Sequence, residues 1–201
     1  MASFAGQERS ALHGLGVSGH YGRAGVTGLV IEERTDLALA SIISKRGKRF
    51  ALVNAVNTAF GVALPDGPRR ATRGSVTFAG TGPDQWIASA EGSEAPGFAA
   101  KVRARIGPFA AVSDQSDARL VVLLRGPRAR DVLAKGLAVD LHPKAFKPGD
   151  VATTLIAYIG VQIDMLDDAT WQLSAPRSMA GSFWSWLTAS AAEFGYDVIT
   201  R

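Results

Sequence analysis

The sequence contains no cysteine, which excludes disulfides, thiolate-bound zinc and cysteine nucleophiles outright. Histidine is scarce as well. His13, His20 and His142 lie far apart and share no helical ligand spacing, so no metal site is expected from this chain alone. Long apolar runs are missing. The longest wholly aliphatic stretch is Leu120 to Leu124, against the ~20 apolar residues that a membrane-spanning helix needs. The opening MASFAGQERSALHG lacks a basic flank followed by an apolar core, so no secretory signal is expected. The chain therefore reads as cytoplasmic, with no membrane contact. Charge of one sign is nowhere gathered into a run of five or six residues. The net charge is +4, and the densest basic spots are Lys45, Arg46, Lys48, Arg49 and Arg125, Arg128, Arg130. Aromatic rings do not alternate with these cations as base-stacking platforms require. They read as a solvated basic face, with no nucleic-acid partner.

Apolar residues make up 47% of the 201 positions and charged residues 20%, the balance of a globular chain with one domain in two lobes. Residues 1–27 are glycine-rich and read as a flexible or partner-docked tail. Within them Gly14-Leu15-Gly16-Val17-Ser18-Gly19 matches the G-x-G-x-x-G fingerprint, but no buried strand precedes it and no helix follows, as dinucleotide binding requires. Two short strands follow, Gly28 to Glu33 and Leu37 to Ser44; in the second, Leu37, Leu39, Ser41 and Ile43 face one way. Helical spacing of Leu52, Val53, Val56 and Phe60 predicts a helix over 48–60, ended by Gly61. A basic linker is expected over 65–74, then strands at 75–78 and 86–89 joined by AGTGPDQ. Ser93-Glu94-Ala95-Pro96 reads as a helix start, continued by Phe98, Val102 and Ile106. A strand from Ala111, a helix over 127–135, a β-rich stretch over 151–165 bent at Gly160 and a strand at 171–174 complete the middle. A last helix over 178–194 stops at Gly195. The order predicts an α+β fold of two small mixed sheets, each covered by helices, with lobes at about 28–110 and 111–201.

The stretch VSDQSDARLVVLLRGPRARDVL, residues 112–133, poses the functional question. Leu120 to Leu124 carries no polar residue and reads as a central strand buried on both faces. Gly126 permits the tight turn, and Pro127 begins the helix without an amide to satisfy. The free amides of that helix, ringed by Arg125, Arg128 and Arg130, suit an anion. Any strand-to-helix corner needs the same chemistry, and the plain corner is the reading adopted. Upstream, Asp114, Ser116 and Asp117 crowd a turn, but no pattern nominates a histidine to complete a triad. Asp167-Asp168 and Glu32-Glu33 are adjacent pairs whose side chains diverge in a strand. No catalytic, cofactor-binding or metal-binding residue is therefore assigned. The candidate interface residues are His20 and Tyr21 in the tail and Trp184. Trp184 sits about 100° off the last helix's apolar stripe by the 3.6-residue period, placing it either in flank packing or in a subunit contact.

The pattern Asp114-x-Ser116-x-x-x-Leu120-x-Val122-x-Leu124-x-Gly126-Pro127-x-Ala129-x-x-x-Leu133 resembles the strand-Gly-Pro-helix signature of the glycine-cleavage T-protein (aminomethyltransferase) superfamily. Leu141-His142-Pro143, Phe146-Lys147-Pro148-Gly149, the segment VQIDMLDDATWQLSAPRSMAGSFWSWL and Glu193-Phe194-Gly195 narrow it. In combination they are similar to the gamma subunit of heterotetrameric sarcosine oxidase, over most of the chain beyond the glycine-rich start. The resemblance implies an aminomethyltransferase folate-domain-like fold and an accessory role beside alpha, beta and delta subunits. It implies a complex that oxidatively demethylates sarcosine to glycine, giving hydrogen peroxide and either formaldehyde or methylene-tetrahydrofolate. It places the FAD, FMN, NAD, tetrahydrofolate and zinc sites on the other subunits. The equivalent subunit of N-methylglutamate dehydrogenase shares the plan. A stand-alone folate-binding, one-carbon transfer protein is the alternative. T-proteins carry a folate-contacting carboxylate on a strand whose counterpart here, near Ile159-Gly160, holds no acid; Asp164 reaches that place through a shifted alignment.

Overall fold

The computed structural model describes residues 9–200, so Met1 to Glu8 of the expected tail and Arg201 lie outside the described residues. The first half of the chain forms β1 (Gly19–Tyr21), β2 (Leu29–Glu33), β3 (Ala38–Ser44) and α1 (Arg49–Phe60). Then come β4 (Arg70–Arg73), β5 (Val76–Gly82), β6 (Gln85–Ala90), α2 (Phe98–Ile106) and β7 (Ala110–Asp114). The second half forms β8 (Arg119–Arg125), α3 (Ala129–Ala134), β9 (Val151–Ile156) and β10 (Ile159–Asp167). It closes with β11 (Thr170–Pro176), α4 (Ala180–Ala191) and β12 (Tyr196–Ile199).

These strands make two sheets. One has seven strands in the order β1-β12-β2-β8-β11-β10-β9, and the other has five in the order β4-β5-β6-β3-β7. The seven-stranded sheet is mixed because β12 runs parallel to β2. The five-stranded sheet is antiparallel at every pairing, so the mixed character expected of both belongs to one. Each sheet carries its own core on the helix-covered face. On the large sheet Leu120, Val122, Leu124, Val161, Ile163 and Trp171 meet Val132, Leu133, Phe183 and Leu187 from α3 and α4. On the small sheet Ala40, Ile42, Phe78 and Trp86 meet Leu52 and Val56 of α1 and Phe98, Val102 and Ile106 of α2. Burial at every fourth position makes both helices amphipathic from sequence alone. Gly61 ends α1 in the left-handed conformation, φ 64°, with its amide donating to Asn57 O at 2.8 Å.

The opposite faces of the two sheets look at each other. Thr153 of β9 donates to Thr81 O of β5 at 3.3 Å, and the cavities described below have walls from both sheets. The chain divides between the sheets at 38–114 on one side and 19–33 plus 119–199 on the other. Thus β2, grouped by sequence position with the first lobe, lies in the large sheet between β12 and β8.

Several local expectations are corrected. The basic linker over 65–74 contains β4, which pairs with β5 across a turn at Gly74, φ 58°. Its arginines are edge-strand residues, and Arg70 and Ala71 are half-buried. Strands β5 and β6 run further than expected and turn at Pro83-Asp84, where Asp84 has φ 58°. The break in 151–165 falls at Ala157-Tyr158, with φ 47° and 69°, and Gly160 sits inside β10 opposite Leu155. A two-residue hairpin with both φ values positive normally takes Asn-Gly, so Ala-Tyr hid it from sequence reading. Helix α2 begins at Phe98 after a single tight turn over Gly92–Glu94, with left-handed Gly97 between them.

Candidate functional site

At the Gly126-Pro127 corner the structure uses each basic side chain internally. Arg125 donates to the buried Glu32 carboxylate across β8 and β2. Arg128 pairs with Asp131 at 2.9 Å, and its guanidinium lies 5.5 Å from the Phe194 ring centre. Arg130 donates to Leu141 O and lies 5.0 Å from the Trp171 ring centre. Helix α3 has six residues, too few for a sizeable dipole. The Arg128 amide donates to Gly28 O at 3.1 Å and the Gly126 amide to Ala169 O at 3.0 Å. The corner is therefore a joint between β2, β8 and the β10–β11 turn.

The acidic turn before β8 is likewise a structural clip. Asp114 Oδ1 accepts from the Ser116 amide at 3.0 Å and from Ser116 Oγ at 2.7 Å. Those donors hold the Asp114 carboxyl below its ordinary range. Ser116 Oγ also accepts from the Leu39 amide at 3.0 Å, tying β3 to the turn. No histidine is hydrogen-bonded to Ser116 among the described residues. The adjacent acids diverge as expected: Glu32 faces Arg125, whereas Glu33 accepts from Ser10 Oγ and from the amides of Ala11 and Leu12. Asp167 takes the Ala169 amide at 2.9 Å.

Asp164 is the one carboxylate that the superfamily resemblance brings forward. It is 2% exposed on the inter-sheet face of β10 and accepts from Gln162 Nε2 at 2.7 Å. Burial pushes its carboxyl up, opposed by the Gln162 amide and by the charge of Arg70. It lines neither of the two large cavities nor the smaller one of about 340 Å³, and its burial closes the carboxylate to a ligand. The residues present do not fit a folate site built on Asp164. Burial has a consequence for stability. The folded chain binds this proton more tightly than the unfolded chain, so this carboxyl's contribution to stability is fully present below about pH 4, the ordinary carboxylate value, and is lost as pH rises through the raised one. Asp164→Asn, which keeps the acceptor for Gln162, is expected to remove that slope and to stabilise the chain at neutral pH by roughly 1 kcal/mol. Thermal melts across pH check this, and a less stable Asn variant at neutral pH would contradict it.

Two large cavities lie along the seam between the sheets. One, about 710 Å³, is lined by Arg49, Asp66, Asp84 and Trp86 with Val151 to Thr153. Its arginine is held by Asp66 at 2.5 Å and Asp84 at 2.6 Å, with the guanidinium 5.3 Å from the Trp86 ring centre. The other, about 780 Å³, lies where the connections β2–β3 and β7–β8 cross, under Arg9 to Ala11. Among the described residues, no group of three or more His, Asp or Glu side chains is placed to hold a metal ion. No helix among them is long and apolar enough to cross a membrane.

Comparison with known proteins decides the family. The profile of the sarcosine oxidase gamma subunit family matches residues 46–193, well over half of the chain. The chain belongs to the sarcosine oxidase gamma subunit family. Curated gamma subunits from Corynebacterium sp. (strain P-1) and Arthrobacter sp are 34% identical over 120 residues and 31% over 119. Each alignment covers 59% of this chain and 58% of the relative, so the match spans little more than half of either gamma subunit. Among solved structures, a chain of the heterotetrameric sarcosine oxidase from Corynebacterium sp. U-96, in complex with pyrrole 2-carboxylate, has a TM-score of 0.80 and 26% identity. That likeness covers 93% of this chain and 96% of the other. The glycine cleavage aminomethyltransferase T from Bartonella henselae has a TM-score of 0.62 at 14% identity over 90% of this chain and 56% of its own, which shows the shared fold.

For this gamma-family chain the candidate interface residues separate. Trp184 is 8% exposed and packs in the large core beneath the chain's own start, together with Leu12, Gly16 and Ile31. Its displacement from the stripe is therefore flank packing within the chain. The covering element is the segment read as a tail: Leu12 is buried, and β1 pairs with β12 at the edge of the large sheet. Helical periodicity could not show this, because the cover comes from about 170 positions away. His20 and Tyr21 are 38% exposed. His20 Nδ1 lies 2.7 Å from Asp197 Oδ1 and Nε2 lies 3.0 Å from Arg23 O; these two acceptors raise the imidazole above its ordinary value. Tyr21 stacks on Tyr196 with ring centres 5.5 Å apart.

Proposed function

We propose that this chain is a non-catalytic accessory subunit of a heterotetrameric sarcosine oxidase in the cytoplasm, bound to alpha, beta and delta subunits. The complex converts sarcosine, dioxygen and water to glycine, hydrogen peroxide and formaldehyde, or passes the one-carbon unit to tetrahydrofolate as methylene-tetrahydrofolate. FAD, FMN, NAD, tetrahydrofolate and zinc belong to the other subunits. The observation that carries this reading is the likeness to a chain of one such heterotetramer over nearly the full length of both chains. The internal use of the corner arginines and of the turn acids supports it, since these side chains are spent on holding elements together. Exposed apolar residues support it as well. Phe50 stands out from α1, Ile43 from β3, and Tyr158 tops the β9–β10 hairpin above Leu155. His20 and Tyr21 complete the proposed contact residues at the sheet edge opposite β9.

Expressed without partners, the chain is expected to self-associate in size-exclusion chromatography with light scattering, because its apolar contacts lack their cover. Co-expressed with a flavin-binding chain and a large folate-domain chain from adjacent reading frames, it is expected to enter one assembly with one copy of each subunit by native mass spectrometry. A monodisperse lone chain that does not bind the co-expressed chains would overturn the proposal.

A further inference from the structure

The cavity of about 780 Å³ at the crossing of the β2–β3 and β7–β8 connections is lined by an arginine with no counter-ion among the described residues. Arg119 opens β8, opposite Pro176 of β11. It lines both this cavity and a neighbouring one of about 340 Å³. Its Nη1 reaches Ser174 Oγ at a long 3.4 Å. Its Nε is buried with no hydrogen-bond partner among the described residues. None of the ion pairs among those residues includes it. A half-buried guanidinium without a carboxylate is costly, and burial alone lowers its affinity for its proton.

The other charged walls sharpen the polarity of the site. Glu33 is occupied by the Ser10 hydroxyl and two amides, and Arg34 by Asp36 at 2.6 Å and Glu91 at 2.5 Å. Asp117 is exposed at the rim. Arg177, whose amide donates to Ala118 O beside Arg119, gives its guanidinium to the Arg9 carbonyl and to no acid among the described residues. Arg119 and Arg177 thus line one cavity, with Arg9 at its edge, and none of the three is ion-paired among the described residues. Between them the wall is apolar, from Leu37, Leu39 and Val121. The volume lies within the range of small-molecule sites.

We infer that this cavity binds a small organic dicarboxylate, one carboxylate on Arg119 and the other on Arg177, with its short carbon chain against Leu37, Leu39 and Val121. A planar carboxylate satisfies a guanidinium edge with two parallel hydrogen bonds, and at Arg119 the terminal Nη edge would take it, since Nε is buried beneath. The inference stands on this chain's own residues and is independent of which subunits hold it.

The test is equilibrium binding of labelled succinate to the full chain, together with whatever partner chains co-purify, at matched ionic strength. Wild type is expected to hold one succinate per chain that succinamide does not displace. Arg119→Met is expected to weaken binding by roughly tenfold or more, with Arg119→Lys in between. The Met variant without ligand is expected to melt at or above the wild-type temperature, because an unpaired buried charge is replaced by an apolar stem of similar length. A merely structural arginine would instead lower the melting temperature. Should the Met variant not fold, Arg177→Met is the second test, with the same expected loss of affinity. Absence of succinate binding to wild type, or equal binding by wild type and the folded variants, would overturn the inference.

Discussion

Gly126→Ala is expected to cost about 3 kcal/mol or more and to abolish most soluble protein. Gly126 adopts φ 135°, a conformation that side chains rarely tolerate, and a Cβ there would sit 2.6 Å from Gly28 O and 2.9 Å from Leu29 Cα. Neither neighbour can yield. Both are backbone, and Gly28 O is also the acceptor for the Arg128 amide. Pro127→Ala, which removes only a conformational restriction, is expected to cost about 0.5–1 kcal/mol. Soluble yield and thermal melting of the two variants check the contrast. A well-folded Gly126→Ala protein would mean that the corner has room in it, and the reading of the Gly-Pro turn as a backbone joint would fail.

Trp171→Ala is expected to cost about 3–5 kcal/mol and to lower the melting temperature by roughly 10 °C. Trp171 is fully buried on β11, stacked on Phe146 with ring centres 5.5 Å apart and planes 23° from parallel. The Arg130 guanidinium lies over its ring, 5.0 Å from the centre, while reaching from α3 to Leu141 O. The indole thus binds the irregular 140–146 segment to the large sheet, and its removal loosens both. Trp171→Phe is expected to recover part of the loss, since it keeps the stack with Phe146 and gives up volume. Chemical denaturation of the three proteins checks the order. An alanine variant within about 1 kcal/mol of wild type would contradict a core centred on this residue.

What could be read in the sequence was what repeats at short range. The i, i+4 spacing of Leu52 and Val56, and of Phe98, Val102 and Ile106, located α1 and α2 because each helix buries one stripe. The wholly aliphatic Leu120 to Leu124 located β8, which is buried on both faces. What stayed hidden depends on partners distant in the chain. Strand β4 looks like a basic linker until β5 folds back on it, and the Ala157-Tyr158 turn has none of the glycine or asparagine that announces its type. Trp184 lay off the apolar stripe, open to flank packing or a subunit contact, because its cover, Leu12, comes from the opposite end of the sequence. Arg119 gave no signal at all. Its chemistry arises where the crossing connections leave a cavity, and nothing in the local pattern of β8 marks its first residue as different from Arg125, which is paired.

The central claim is that this polypeptide makes and breaks no bond itself and serves a complex that does. Sarcosine-dependent peroxide production, measured on the lone chain and on the co-expressed assembly from the same host, tests it most directly. The account predicts turnover confined to the assembly and lost when the flavin-binding chain is left out. Turnover of sarcosine by the purified lone chain, or a flavin or pterin retained on it, would contradict the account.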